Sequence, residues 1–222
     1  MSLVTGRKVF GIGFQKSGTT SLAHAMRYLG FHNIPAVGYR LEFLEGISRG
    51  VHPGELTKIL EPWNFLRDNP FFWPKLPSTG APFYQWANQQ YPDALFILTK
   101  RISASAWQRS MITHMERGGH YPKGPLKGSD IYKKRMLVYG QEAVDSMDIS
   151  LFTKVYETYN KEARDYLSTF AKGRWIELCW EEGHGWTELC RFLSVRKPWF
   201  RPFPSSNKTN YAKHKKTIEE DT

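Results

Sequence analysis

The residues with the plainest chemical potential lie in one run, Gly13-Phe14-Gln15-Lys16-Ser17-Gly18-Thr19-Thr20. Two glycines with four residues between them let the backbone curl until successive N–H groups converge. A helix starting behind the second glycine adds the partial positive charge of its N-terminus. Such a curl holds the oxygens of a phosphate or a sulfate. A nucleoside triphosphatase sets its lysine directly after the second glycine, followed by Ser or Thr for magnesium. Here Thr19 takes the lysine's place and Lys16 precedes Gly18 by two residues. The ammonium belongs to the curl itself, where it can reach over a group in transfer.

The elements that must carry this loop are legible on both sides of it. Residues 8–12, "KVFGI", read as a short buried strand, and 18–29 as a helix with Leu22, Met26 and Leu29 on one face. Three further apolar pulses follow: "WNFL" at 63–66, "ALFILT" at 94–99 and "RWIELCW" at 174–180. A long helix is expected over about 149–170, with Ile149, Phe152, Tyr156, Tyr159, Ala163, Tyr166 and Phe170 at helical spacing. A last one near 185–194 places Trp186, Leu189, Cys190 and Leu193 together. Short continuous apolar strands alternating with helices predict an α/β fold: three layers, a mainly parallel sheet flanked by helices, like the P-loop-containing nucleotide hydrolases. Ligands of such sheets sit beyond the carboxyl ends of the strands. The loop 13–20, Asp68 and Arg101 all fall at such ends.

Composition is compatible with one domain over residues 1–222, with a polar, frayed tail at 211–222. Hydrophobic residues make up 41% and charged residues 23%, ordinary values for a globular protein. No apolar run approaches the roughly 20 residues that span a bilayer, and no signal-peptide core is visible. Cys179 and Cys190 read as buried thiols of a reducing compartment, so a cytoplasmic protein without stable membrane insertion is expected. The net charge of +10 favours an anionic ligand. No nucleic-acid-binding motif is present, which leaves a basic small-molecule site ahead of nucleic acid.

The loop resembles that of sulfotransferases that use 3′-phosphoadenosine-5′-phosphosulfate, whose Lys-[Ser/Thr]-Gly-[Thr/Ser]-[Thr/Ser] run binds the 5′-phosphosulfate. The resemblance continues in "YPDALFILTKRISASAWQRSM" (91–111), similar to the family's second element. There a strand-end arginine and a serine about eight residues later bind the 3′-phosphate. Arg101 matches the arginine; Ser110 lies nine residues on, and Arg109 occupies the eighth position. The stretch "GHGWTELCRFLSVRKPWFRPFPSSNKTN" (183–210) resembles the end of a bacterial and fungal branch, with Gly185, Leu189, Cys190, Phe192, Leu193, Pro202, Phe203, Pro204 and Asn207 in matching places. Ser205 stands where that branch usually has histidine. In the wider family the C-terminal segment covers the 3′-phosphate, a role that falls here to Asn207 or Lys208.

The resemblance implies sulfuryl transfer to a hydroxyl or amine, with adenosine 3′,5′-bisphosphate as product and no metal required. Lys16, with Gln15, Ser17, Gly18, Thr19 and Thr20 around the phosphosulfate, would stabilise the developing charge; Arg101 and Ser110 would anchor the donor. The family's general base is a histidine or glutamate near the end of the second strand. Asp68 holds that position here, with His114 and His120 as alternatives because they flank the punctuated loop 117–128, "RGGHYPKGPLKG". The acceptor, a small molecule or a glycan or lipid, is not readable. Two other functions fit parts of the sequence: a P-loop nucleotide kinase or NTPase, and a non-catalytic protein that binds adenosine bisphosphate or polyanions. The oligomeric state leaves no signature.

Overall fold

The computed structural model describes residues 6–33, 58, 60–67, 73–75 and 80–205. Four strands form one sheet: β1 (Val9–Gly11), β2 (Phe65–Arg67), β3 (Leu95–Thr99) and β4 (Trp175–Leu178), in the order β2-β1-β3-β4. Every pairing is parallel, with Val9 beside both Phe65 and Leu95, and Phe96 beside Trp175. Among the described residues lie the α-helices α1 (Thr19–Tyr28), α2 (Phe83–Gln90), α3 (Ala104–Arg117), α4 (Asp130–Tyr139), α5 (Gln141–Ser146), α6 (Ile149–Phe170) and α7 (Trp186–Leu193), and a short 3-10 turn at Trp180–Glu182. None is long and apolar enough to cross a membrane.

Strand residues alternate between two cores, which makes the three layers. Val9, Phe65, Leu95 and Ile97 point to the face covered by α1 and α7, where Leu22, Met26, Leu189 and Leu193 meet them. Phe10, Leu66, Phe96 and Leu98 point to the other face, against α2, α3 and α6 with α4 and α5 behind. Each large apolar side chain so enclosed contributes roughly 1.5–3 kcal/mol relative to exposure. Cys179 and Cys190 are buried free thiols.

The expected strands and helices are present: α6 keeps its expected ends, β2 starts two residues later and runs one further to Arg67, and the others are trimmed by a residue or more. The buried stripe of α6 ends at Leu167, however, and Phe170 is 61% exposed. Three helices were not foreseen. In α2 the buried Phe83, Tyr84, Trp86 and Ala87 form a helical stripe hidden within an aromatic-rich stretch. In α4 burial does not follow polarity, since Arg135 is buried while Ile131 and Leu137 are exposed. The short α5 follows directly behind it. Residues 118–128 contain neither helix nor strand, as their glycines and prolines require.

Because all strands are parallel, their carboxyl ends share one edge. The loop after β1, Lys100-Arg101 after β3 and Cys179-Trp180 after β4 converge there.

Candidate active site

The loop leaves β1 through Gly13, packed so tightly against β3 that a Cβ would sit 1.8 Å from Thr99 Oγ1. Only glycine fits that approach. Lys16 and Gly18 both take left-handed backbone angles, with φ of 65° and 96°, which turn neighbouring N–H groups toward one concavity. Gly18 caps α1 without a side chain, and no acidic residue occupies the first turn. The helix N-terminus is thereby left open to an anion. An indole closes the back of the curl: Trp180 Nε1 donates to the Gly18 carbonyl at 3.1 Å.

The rest of the loop is held rigid from inside. Ser17 is fully buried; its hydroxyl donates to the Phe14 carbonyl and shares a 2.8 Å hydrogen bond with Thr99 Oγ1. Its N–H donates to the Phe14 carbonyl as well, at 3.1 Å. With its hydroxyl and N–H both bonded inside the protein, Ser17 braces the loop. Gln15 is similarly engaged. Its side chain donates to the Tyr139 hydroxyl, and its carbonyl accepts from Trp107 Nε1 at 2.8 Å. Lys16, Gly18 and Thr20 remain partly exposed, with Thr19 buried between the last two.

Lys16 is only partly exposed. Desolvation, and then the charges of Arg117 and Arg101, lower its ammonium pKa. Arg101 Nη2 pairs with Glu181 Oε1 at 2.5 Å, while its Nε is buried without a partner. The same glutamate accepts from Ile102 N–H at 2.7 Å, and Tyr156 O–H accepts from Arg101 N–H at 3.0 Å. A cleft of about 270 Å³ opens beside Arg101, lined among others by Lys100, Ser103, Asn160 and Arg164. In α3, Ser110 is buried on the face of Trp107, whereas Arg109 is exposed. Of the two residues left open by the spacing, burial thus puts Ser110 on the inner side.

His114 stands on the same helix, seven residues beyond Trp107. Desolvation and the positive charges of Lys16, Arg135, Arg117 and His120 lower its pKa to about 4. The residue still keeps an open side to water, so those cationic neighbours are the component that a bound anion would reverse. Asp68, Asn207 and Lys208 lie outside the described residues. The last described segment brings Phe203 onto Trp180, the indole that backs Gly18, with ring centroids 4.6 Å apart.

Sequence reading missed Trp180, Tyr139, Arg135 and Glu181. Only chain folding brings Trp180 and Tyr139 to the loop, Glu181 to Arg101 and Arg135 toward His114, and no local pattern marks them. Among the described residues no three His, Cys, Asp or Glu side chains gather as a metal site would require.

The profile of a family described as "Sulfotransferase domain" matches residues 8–212. No curated protein matches the chain. Among solved structures, a sulfotransferase from Alicyclobacillus acidocaldarius is similar, with a TM-score of 0.54 and 16% identity over 97% of this chain and 90% of that one. At that identity the likeness concerns the fold.

Proposed function

The chain belongs to the sulfotransferase domain family, and on that premise we propose that its donor is 3′-phosphoadenosine-5′-phosphosulfate and its acceptor a hydroxyl or amine compound. The observation that carries this reading is the position of Lys16, inside the curl at φ 65° and ahead of an uncapped helix N-terminus. The cradle fits such a donor in two respects: an open helix N-terminus for the 5′ end, and an unpartnered buried Nε on Arg101 for the 3′-phosphate.

Bound, the donor supplies an activated sulfuryl group, whose bond to the 5′-phosphate oxygen breaks as the acceptor attacks sulfur. Lys16 meets the negative charge that grows on the departing oxygen, and the N–H groups and hydroxyls at residues 18–20 hold the sulfuryl oxygens. Arg101 grips the 3′-phosphate with a guanidinium that Glu181 holds in place. Ser110 assists from α3, and Asn207 or Lys208 closes from the C-terminal segment. The acceptor proton passes to His114, neutral at pH 7 and close enough to Lys16 for their charges to interact. Asp68, next in sequence after Arg67, is the other holder of that role.

The test is a melting assay followed by a transfer assay. Adenosine 3′,5′-bisphosphate at 100 times its Kd should add about 2.7 kcal/mol of stability, and do so without magnesium. Sulfur-labelled donor should then label a component of a broad acceptor mixture. A shift with ATP and magnesium but not with the bisphosphate would replace this reading by a nucleotide kinase.

A further inference from the structure

Beside Lys16 the fold gathers a basic cluster, Arg135, Arg117, His114 and His120, that the donor does not require. Two helices reach the loop at Gln15: α3 through Trp107, which donates to its carbonyl, and α4 through Tyr139, which accepts from its side chain. Each helix carries a cation near that contact. Arg135 stands one turn before Tyr139 and is only 8% exposed, with Nη1 lacking any partner and no ion pair among the described residues. A guanidinium enclosed without a counter-ion is costly. Desolvation lowers its pKa accordingly. On α3, His114 and Arg117 follow Trp107 toward the helix end, and His120 is tied back to the same helix by its N–H to the Met115 carbonyl at 2.8 Å.

These groups act on one another. His114 feels Lys16, Arg135, Arg117 and His120, while Lys16 feels Arg117 and Arg101. Arg101 is not among the charges acting on His114. Lys16 thus feels two sets of basic groups: Arg101, already matched by Glu181, and the cluster, where no carboxylate is among the groups acting on Lys16 or His114. Among the acidic groups of α4 and α5, Asp145 is bound to Tyr132 and Lys127. The opening charge imbalance calls for an anion, and donor phosphates are already provided for at the loop and at Arg101.

We propose that the basic cluster around the buried, unpartnered Arg135, with Arg117, His114 and His120, binds an oxyanion carried by the acceptor, so that the molecule receiving the sulfuryl group is itself negatively charged, a carboxylate or a phosphate ester bearing a hydroxyl. The assignment rests on the sulfuryl-transfer reading of the loop. Arg135 is the fork that receives the oxyanion, Arg117 adds charge at the rim, and the acceptor hydroxyl is thereby directed past His114 toward Lys16. Such a site selects its substrate by rejecting neutral analogues, which leave the buried guanidinium unmatched.

The test loads the protein with donor and titrates inorganic phosphate while following the imidazole resonances of His114. A saturable response is expected, weakened roughly 10–100-fold in Arg135→Gln, the scale of a lost contact to a charged group, with bisphosphate affinity retained. Arg117→Ala, on the exposed end of α3, should weaken it less and serves if the buried variant fails to fold. A paired transfer assay with 4-hydroxyphenylacetate and its methyl ester should favour the acid in kcat/KM. No saturable response, an equal loss of bisphosphate binding in Arg135→Gln, or preference for the ester would overturn the proposal. A phosphate response in a protein that does not bind the bisphosphate would instead remove the donor assignment and leave the anion site standing.

Discussion

Replacing Gly18 by alanine tests how the loop is closed. At φ 96° a non-glycine residue costs about 1–2 kcal/mol in backbone strain. The added Cβ would lie 2.2 Å from Trp180 Nε1 and 2.3 Å from Cδ1, far inside van der Waals contact. The indole must swing away, losing its 3.1 Å hydrogen bond to the Gly18 carbonyl, about 1 kcal/mol. Its packing on Phe203, at 4.6 Å between centroids, is worth about 0.5–1.5 kcal/mol more. Gly18→Ala should therefore lose about 3–4 kcal/mol, against about 1–2 for Gly173→Ala, where φ is 76° and nothing lies within 4 Å. Urea unfolding of both variants measures this, and a cycle with Trp180→Ala isolates the collision. In that background the Gly18→Ala loss should shrink to the strain alone. Equal losses for the two glycine variants in the wild-type background would refute the closure of the loop by Trp180.

Ser17→Ala should cost about 1–3 kcal/mol of stability, because Thr99 Oγ1 and the Phe14 carbonyl lose a buried partner; denaturant unfolding reads it, and an unchanged midpoint would contradict the bracing role. An NMR titration of His114 should find a midpoint near about 4 in the free protein and a higher one with bisphosphate bound. The folded pKa is depressed below the unfolded value of about 6.5, so the unfolded chain takes up the proton first and stability falls as pH drops from about 6.5 toward 4. Arg101→Ala should weaken bisphosphate binding by about 1.5–3 kcal/mol in calorimetry; unchanged affinity would place the 3′-phosphate elsewhere.

The architecture and the loop were legible because both rest on local signals. Short apolar pulses and helical spacings mark β1 to β4, α1, α6 and α7, and the order of Gly13, Lys16 and Gly18 is read directly from adjacent residues. What encloses the loop was not legible, for physical reasons that differ by residue. Trp180 lies 162 residues from Gly18 and looks like the end of an apolar strand. Tyr139 and Arg135 sit on a helix whose buried face mixes charge with apolar residues, so no periodicity marks it. Ser17 reads as an exposed donor in a phosphate-type loop, yet its hydroxyl points inward because Gly13 lets Thr99 approach. Glu181, the partner of Arg101, comes from the turn after β4, and only the parallel order of β3 and β4 brings the two together.

The most direct measurement is single-turnover sulfuryl transfer by Lys16→Ala beside a bisphosphate titration of the same variant. Charge on the departing oxygen grows only as the bond breaks, so a lysine aimed at it acts on the transition state rather than on ground-state binding. The expected result is a rate lowered by about 10²–10³, the scale of one preorganised donor, with bisphosphate affinity nearly intact and incomplete rescue by Lys16→Arg. Normal turnover by the alanine variant would contradict the role assigned to a lysine set within the curl.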